Sequence, residues 1–349
     1  MLRTVAIATS NLEAVMDHET PGWELHPWVA EATTRIRFGI VHPLLGVDLD
    51  WPTLLARVRQ AESLGFDSYW FSDHPLLNPD CWTRIAGLAA TTQTIRLGTM
   101  VACIYYRHPA LLARVVADVD RMTGGRVVLG LGIGDFAPEF DQLGLPFPPT
   151  PVRQRALEET IQILRGVWGD APFTLDGETF RVQGARIQPP PAQQPRVPIL
   201  IAGAGEKVTL RQVATFADAS NFGPNPHTGN VLSTDQVALK FAALAAHCAQ
   251  VGRPFGSVLR TYWSPPVVLA ETRAELQEKV ATVTPDEHRF YGEHMVIGTP
   301  DDAIAHFQHL VDAGLQYFIM HTRADPETAR LLAERVLPAL VPARRTLVL

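Results

Sequence analysis

Thr123-Gly124-Gly125-Arg126-Val127-Val128-Leu129-Gly130-Leu131-Gly132-Ile133-Gly134-Asp135-Phe136 is the stretch on which the fold turns. Its valines and leucines predict a buried strand over Arg126–Ile133, and its last glycines and Asp135 fall where that strand ends. Two other stretches share this form. Phe71-Ser72-Asp73-His74 closes a strand with a charged pair, and Ile201-Ala202-Gly203-Ala204-Gly205-Glu206-Lys207 closes one with glycines. In a parallel barrel every strand delivers its C-terminal end to one rim, so residues this far apart in sequence can line one pocket. A cofactor-using enzyme is the function class this pattern favours.

From Arg35 onward, short β-branched runs alternate with segments of helical period, the pattern of a parallel sheet crossed by helices. Strands are predicted at Ile36–Val41, Asp67–Ser72, Ile95–Cys103, Arg126–Ile133, Pro198–Ala202, Ala219–Phe222, Leu259–Leu269 and Gln316–His321. Helices are predicted at Trp51–Leu64, Cys81–Thr92, Pro109–Met122, Val152–Val167, Glu206–Phe216, Thr234–Val251, Thr272–Val283, Pro300–Ala313 and Pro326–Leu337. The fold class is therefore α/β, a TIM-like (β/α)8 barrel. Pro109 and Pro300 suit the first turn of a helix, and Gly65 and Gly314 sit where a helix should end in a left-handed residue. The helix-stop-strand text recurs as Ser63-Leu-Gly-Phe-Asp-Ser-Tyr69 and Asp312-Ala-Gly-Leu-Gln-Tyr-Phe318.

Two segments break the alternation. Thr174–Gln188 carries Asp176-Gly177 between alternating residues, a hairpin signal, and reads as a surface insertion near 170–190 between the fourth and fifth units. Residues 1–34 have mixed charge and no clear period. They read as a leader of unknown role, draped on the surface or mobile, before a barrel domain at 35–341 and a tail at 342–349.

The 349 residues are 46% hydrophobic and 19% charged, with a net charge of −6, an ordinary globular composition. No clustered basic face suggests nucleic acid, and no run of apolar residues is long enough to cross a membrane. Cys81, Cys103 and Cys248 are odd in number and outside any zinc spacing, so they read as reduced thiols of a soluble, cytoplasmic protein. No histidine spacing suggests a metal site, and none is expected.

Asp73 and His74 lie between a strand and Pro75, on the rim, where an imidazole can exchange protons and a neighbouring carboxylate can orient it. Gly132, Gly134 and Ala137 nominally spell GxGxxA, but the fingerprint must open a helix directly and Pro138 argues against that. Either the glycines admit a ring or ribityl chain, or they serve tight packing at a barrel turn. Asp135 and Glu139 are the carboxylates expected to face the pocket. Gly203, Ala204, Gly205, Glu206 and Lys207 open a helix whose amides could bind phosphate, and Lys207 is one of only three lysines in the chain. Arg107 could bind phosphate or carboxylate, with Tyr105 beside it as a wall for a flat ring.

Five stretches together resemble the bacterial luciferase-like superfamily, most closely its branch using the deazaflavin coenzyme F420. They are AESLGFDSYWFSDH at 61–74, the segment from Thr91 to Phe147 containing the glycine run, RVPILIAGAGEKVTLRQVATFADASNF at 196–222, VIGTPDDAI at 296–304 and AGLQYF at 313–318. The resemblance implies a TIM barrel with the tricyclic ring at its C-terminal rim. Asp73-His74 would contact the ring as acid or base, and a cis non-proline peptide at Met100-Val101 would support it. Asp135 matches a catalytic glutamate of related sugar-phosphate dehydrogenases but is one methylene shorter, and Gly203–Lys207 matches the phosphate site. It further implies a homodimer.

The expected activity is hydride transfer between F420 and a small organic substrate, with His74 exchanging the proton, Asp73 orienting it, Asp135 assisting, and Gly134 and Arg107 among the cofactor contacts. His42, Trp82, Tyr105 and Phe136 are the expected substrate-pocket residues. The alternatives are an FMN-dependent monooxygenase on the same fold, which would need a separate flavin reductase, and a non-catalytic flavin-binding protein.

Overall fold

The computed structural model describes residues 25–32, 34–43, 49–224 and 233–342. Eight parallel strands form a closed barrel: β1 (Arg37–Val41), β2 (Ser68–Phe71), β3 (Arg96–Thr99), β4 (Val127–Gly132), β5 (Ile199–Ala202), β6 (Ala219–Phe222), β7 (Leu259–Leu269) and β8 (Tyr317–His321). The ring is shut by β8 against β1, with Ile40 opposite Met320. A closed sheet leaves no unpaired edge among these strands, and its order places the ends of β4 and β5 across the barrel from those of β8 and β1.

The helices obey the signals in the text. Asp50 caps the helix Trp51–Ser63 by accepting from Thr53 N at 2.8 Å, and Pro109 and Pro300 each open a helix at its first turn. Gly65 and Gly314 have φ of 79° and 109°, stopping their helices as their placement predicts. The hairpin stands at Phe173–Asp176 and Arg181–Ala185, between β4 and β5. One large apolar layer fills the space between strands and helices. A second occupies the barrel interior, including Trp70, Val128, Leu200, Leu259, Tyr317 and Ile319.

Three expectations change. The predicted strand Ile95–Cys103 is interrupted, because Met100-Val101 is a cis peptide and only Ala102–Cys103 pairs again with β4. The helix predicted from Glu206 begins at Thr209, since the Glu206 carboxylate is held by Lys240 at 2.6 Å and its carbonyl by His247 Nε2 at 2.8 Å. The end of the supposed leader is not draped on the surface. Its helix α1 (Pro27–Ala32) sends Trp28, fully buried, against Trp70 and Tyr317 inside the barrel. The Trp28 indole N–H donates to Asp67 at 3.2 Å, and Arg37 donates to the Trp28 carbonyl at 2.6 Å. A large aromatic body with one satisfied polar tip suits such a plug. Residues 1–24 and 343–349 lie outside the described residues.

Candidate active site

The C-terminal rim encloses a cavity of about 720 Å³, inside the ~300–1,000 Å³ range of small-molecule sites. Its base is Met100, Val101, Ala202 and Trp263, which pack on the barrel interior. Around the wall stand His42, Asp73, His74, Gly134, Asp135, Phe136, Gly203 and Ala204, so the three stretches quoted first do converge.

His74 and Asp73 are neighbours that face different partners. The His74 Nδ1–H donates to Glu139 Oε2 at 2.8 Å, and Tyr106 OH donates to the same oxygen at 2.7 Å. Leu76 N donates to Glu139 Oε1 at 3.1 Å, so a carboxylate only 1% exposed is fully used. Spending the Nδ1 proton on Glu139 leaves Nε2 as the nitrogen able to take or give a proton in the cavity. Burial pushes the Tyr106 hydroxyl far up from its ordinary value, and the bond to Glu139 adds to that, so Tyr106 remains a neutral donor.

Asp73 does not orient His74. Its carboxylate takes Arg107 Nη1 at 3.0 and 3.1 Å and the Cys103 amide at 3.3 Å. Burial pushes this carboxyl up while Arg107 pulls it back. The other end of the guanidinium binds Asp80, so Arg107 is a clamp between two carboxylates and not a ligand-facing cation. Among the described residues, the cation that lines the cavity is Arg153, which sequence reading missed. It donates to Pro148 O at 2.9 Å, Thr150 Oγ1 at 3.1 Å and the Gly134 carbonyl, fixing the turn after β4.

The glycine run divides. A Cβ on Gly130 would lie 2.0 Å from Thr99 O and one on Gly132 2.5 Å from Val101 Cγ2, so these two serve close packing of β4 on the cis segment. Gly134, at φ 78°, turns the chain into the cavity wall.

Other expected residues fall elsewhere. Trp82 is buried in the layer between strands and helices, and the Tyr105 ring packs between Phe140 at 6.0 Å and Phe180 at 6.2 Å. The next tyrosine, Tyr106, reaches the cavity instead. Gly205, Glu206 and Lys207 are exposed and do not line it. Asn221, Trp263 and His321 line it unannounced. Asn221 and His321 lie at the C-terminal ends of correctly predicted strands, so the rim rule applied to every strand would have found them. Among the described residues no group of His, Cys, Asp and Glu could hold a metal, and no helix is long and apolar enough to cross a membrane.

A closed parallel barrel with a half-buried His–Glu pair and a ligand-sized cavity at its rim defines a class of barrel enzymes. Within it, a profile of the luciferase-like monooxygenase family matches residues 36–337, and the chain belongs to that family. It is 27% identical over 317 residues to an F420-dependent glucose-6-phosphate dehydrogenase of Microbacterium testaceum, covering 80% of this chain and 90% of that one. It is 30% identical over 233 residues to a 4-hydroxyprotoasukamycin monooxygenase of Streptomyces nodosus subsp. asukaensis, covering 63% and 61%. The solved coenzyme F420-dependent tetrahydromethanopterin reductase of Methanopyrus kandleri shares the fold, with a TM-score of 0.73, 18% identity and 88% and 100% of the two chains covered.

Proposed function

We propose that this enzyme is an F420-dependent oxidoreductase that moves a hydride between the deazaflavin and a small organic substrate, with His74 as the proton donor or acceptor. The observation that carries the reading is the His74–Glu139 pair, which leaves one imidazole nitrogen committed to the cavity. Its relatives support the cofactor, being named for F420.

The residues present fit a flat ring with a polar tail. Met100 and Val101 would lie under the ring, with Gly134 at its edge. Gly203 and Ala204 would carry the tail, beside Gln154, whose buried Oε1 has no hydrogen-bond partner. When bound, the deazaflavin supplies a hydride-carrying ring carbon. The protein's own part is to hold the His74 ring in one tautomer, to keep Tyr106 as a neutral donor, and to exclude water with Met100 and Trp263. Asp135, exposed at the mouth, is placed to influence the entering substrate rather than a buried proton.

Replacing His74 by Ala should lower single-turnover hydride transfer by roughly 100-fold or more. A rate within a few-fold of the parent would remove His74 from the mechanism. The 30% identity to a named monooxygenase favours a second reading, FMN-dependent oxygenation with a separate reductase. Oxygen uptake with reduced FMN, and none with F420, would select it.

A further inference from the structure

The wall formed by the ends of β7, β8 and β1 differs from the wall across the barrel. His321 follows the inward positions Tyr317 and Ile319 on β8, and its ring lies 5.5 Å from that of Tyr291. Its Nδ1 accepts from the Arg323 amide at 3.3 Å, which puts the proton on Nε2. That Nε2–H has no partner although the residue is only 3% exposed. A buried donor left unsatisfied is costly, and in a ligand cavity it marks a place for an acceptor. His42 lines the same end, also 3% exposed, with neither ring nitrogen partnered. Burial brings His42 down to about 3 and His321 to about 4, so both are neutral at pH 7.

The rest of this end includes Trp263, Phe290 and Tyr291, whose rings pack together beside His321. Among the described residues, Arg153 is the one Lys or Arg lining the cavity, and it belongs to the opposite wall after β4. The cation next to His321 in sequence, Arg323, is held by Glu287 at 2.6 and 2.9 Å. The internal residues outside the described set, 33, 44–48 and 225–232, include no Lys or Arg. Arg84, 6.0 Å from the Phe71 ring, acts on His42 but does not line the cavity, so a phosphate placed here would be a buried charge with no cation to contact, which is strongly unfavourable.

We infer that this end receives an uncharged, largely apolar molecule through one hydroxyl or carbonyl oxygen, held by the His321 Nε2–H, and rejects phosphorylated sugars. The inference rests on the proposal that this cavity is where the reaction occurs, and it sets the substrate class apart from that in the name of the 27% identical dehydrogenase. Calorimetric titration of the chain, cofactor-free and loaded with F420, with acetophenone and with glucose 6-phosphate tests it. Acetophenone should bind saturably and glucose 6-phosphate should not. His321→Phe should weaken acetophenone about tenfold, the loss of one hydrogen bond in a closed site. Tighter binding of glucose 6-phosphate than of acetophenone would overturn the inference. So would an unchanged acetophenone affinity in a His321→Phe protein that melts like the parent, or F420 binding with no acetophenone binding to either form. Failure of F420 to bind while acetophenone selectivity holds would instead overturn the cofactor proposal and uphold this one.

Discussion

In the proposed reaction, the part of His74 depends on which ring nitrogen carries the proton, and Glu139 decides that. Glu139→Gln keeps the shape but offers an amide, which can donate as well as accept, so the imidazole loses the partner that fixes its tautomer. Turnover should fall by about 10- to 100-fold with the pH–rate profile displaced, and F420 affinity should stay within about twofold. A lower rate with an unmoved pH profile would assign Glu139 to packing alone. A second carboxylate, Glu287, holds the helix bearing Phe290 and Tyr291 in place through Arg323. Burial alone would raise this carboxyl, but bonds from Arg323 and Thr284 outweigh it and hold it down at about 2. A depressed carboxylate contributes stability that is complete above its unfolded pKa, about 4.3, and is lost as pH falls through its folded value. Glu287→Gln should therefore lower the urea midpoint at pH 7 and nearly match the parent at pH 2. An equal deficit at both pH values would contradict the ion-pair account.

Among the elements, α1 (Pro27–Ala32) does the least expected work. Trp28 fills the N-terminal end of the barrel interior, so Trp28→Ala should cost about 3–5 kcal/mol, read from chemical denaturation. A loss under about 1 kcal/mol would return this segment to the surface role its sequence suggests. Sequence reading failed there because one short helix carries no measurable period, and its value lies wholly in a distant partner. The loop after β5 shows the opposite error. Its glycines are legible, but the phosphate reading of Lys207 rests on a helix start at Glu206, on the resemblance and on the rarity of lysine, and the helix starts two residues beyond Lys207. An exposed lysine contributes about 1 kcal/mol at most, so Lys207→Ala should raise the F420 dissociation constant no more than about fivefold. A larger effect would show that its side chain grips the tail.

For the whole molecule, barrel and rim were readable because strand ends carry their chemistry in the text, as at Asp73-His74 and Gly134-Asp135. Pairings across the rim were not readable. Whether His74 meets Asp73 or Glu139, and whether Tyr105 or Tyr106 enters the cavity, depends on rotations that period and spacing do not record. Closure of eight strands makes those distant loops one site. The account therefore stands or falls on that site holding a deazaflavin. Parallel fluorescence titrations of the purified protein with F420 and with FMN measure this directly. Saturable one-to-one binding of F420, at least about tenfold tighter than FMN and weakened when Ala204 at the cavity wall is enlarged to Trp, is the predicted result. Binding of FMN alone, or F420 binding indifferent to Ala204→Trp, would contradict it.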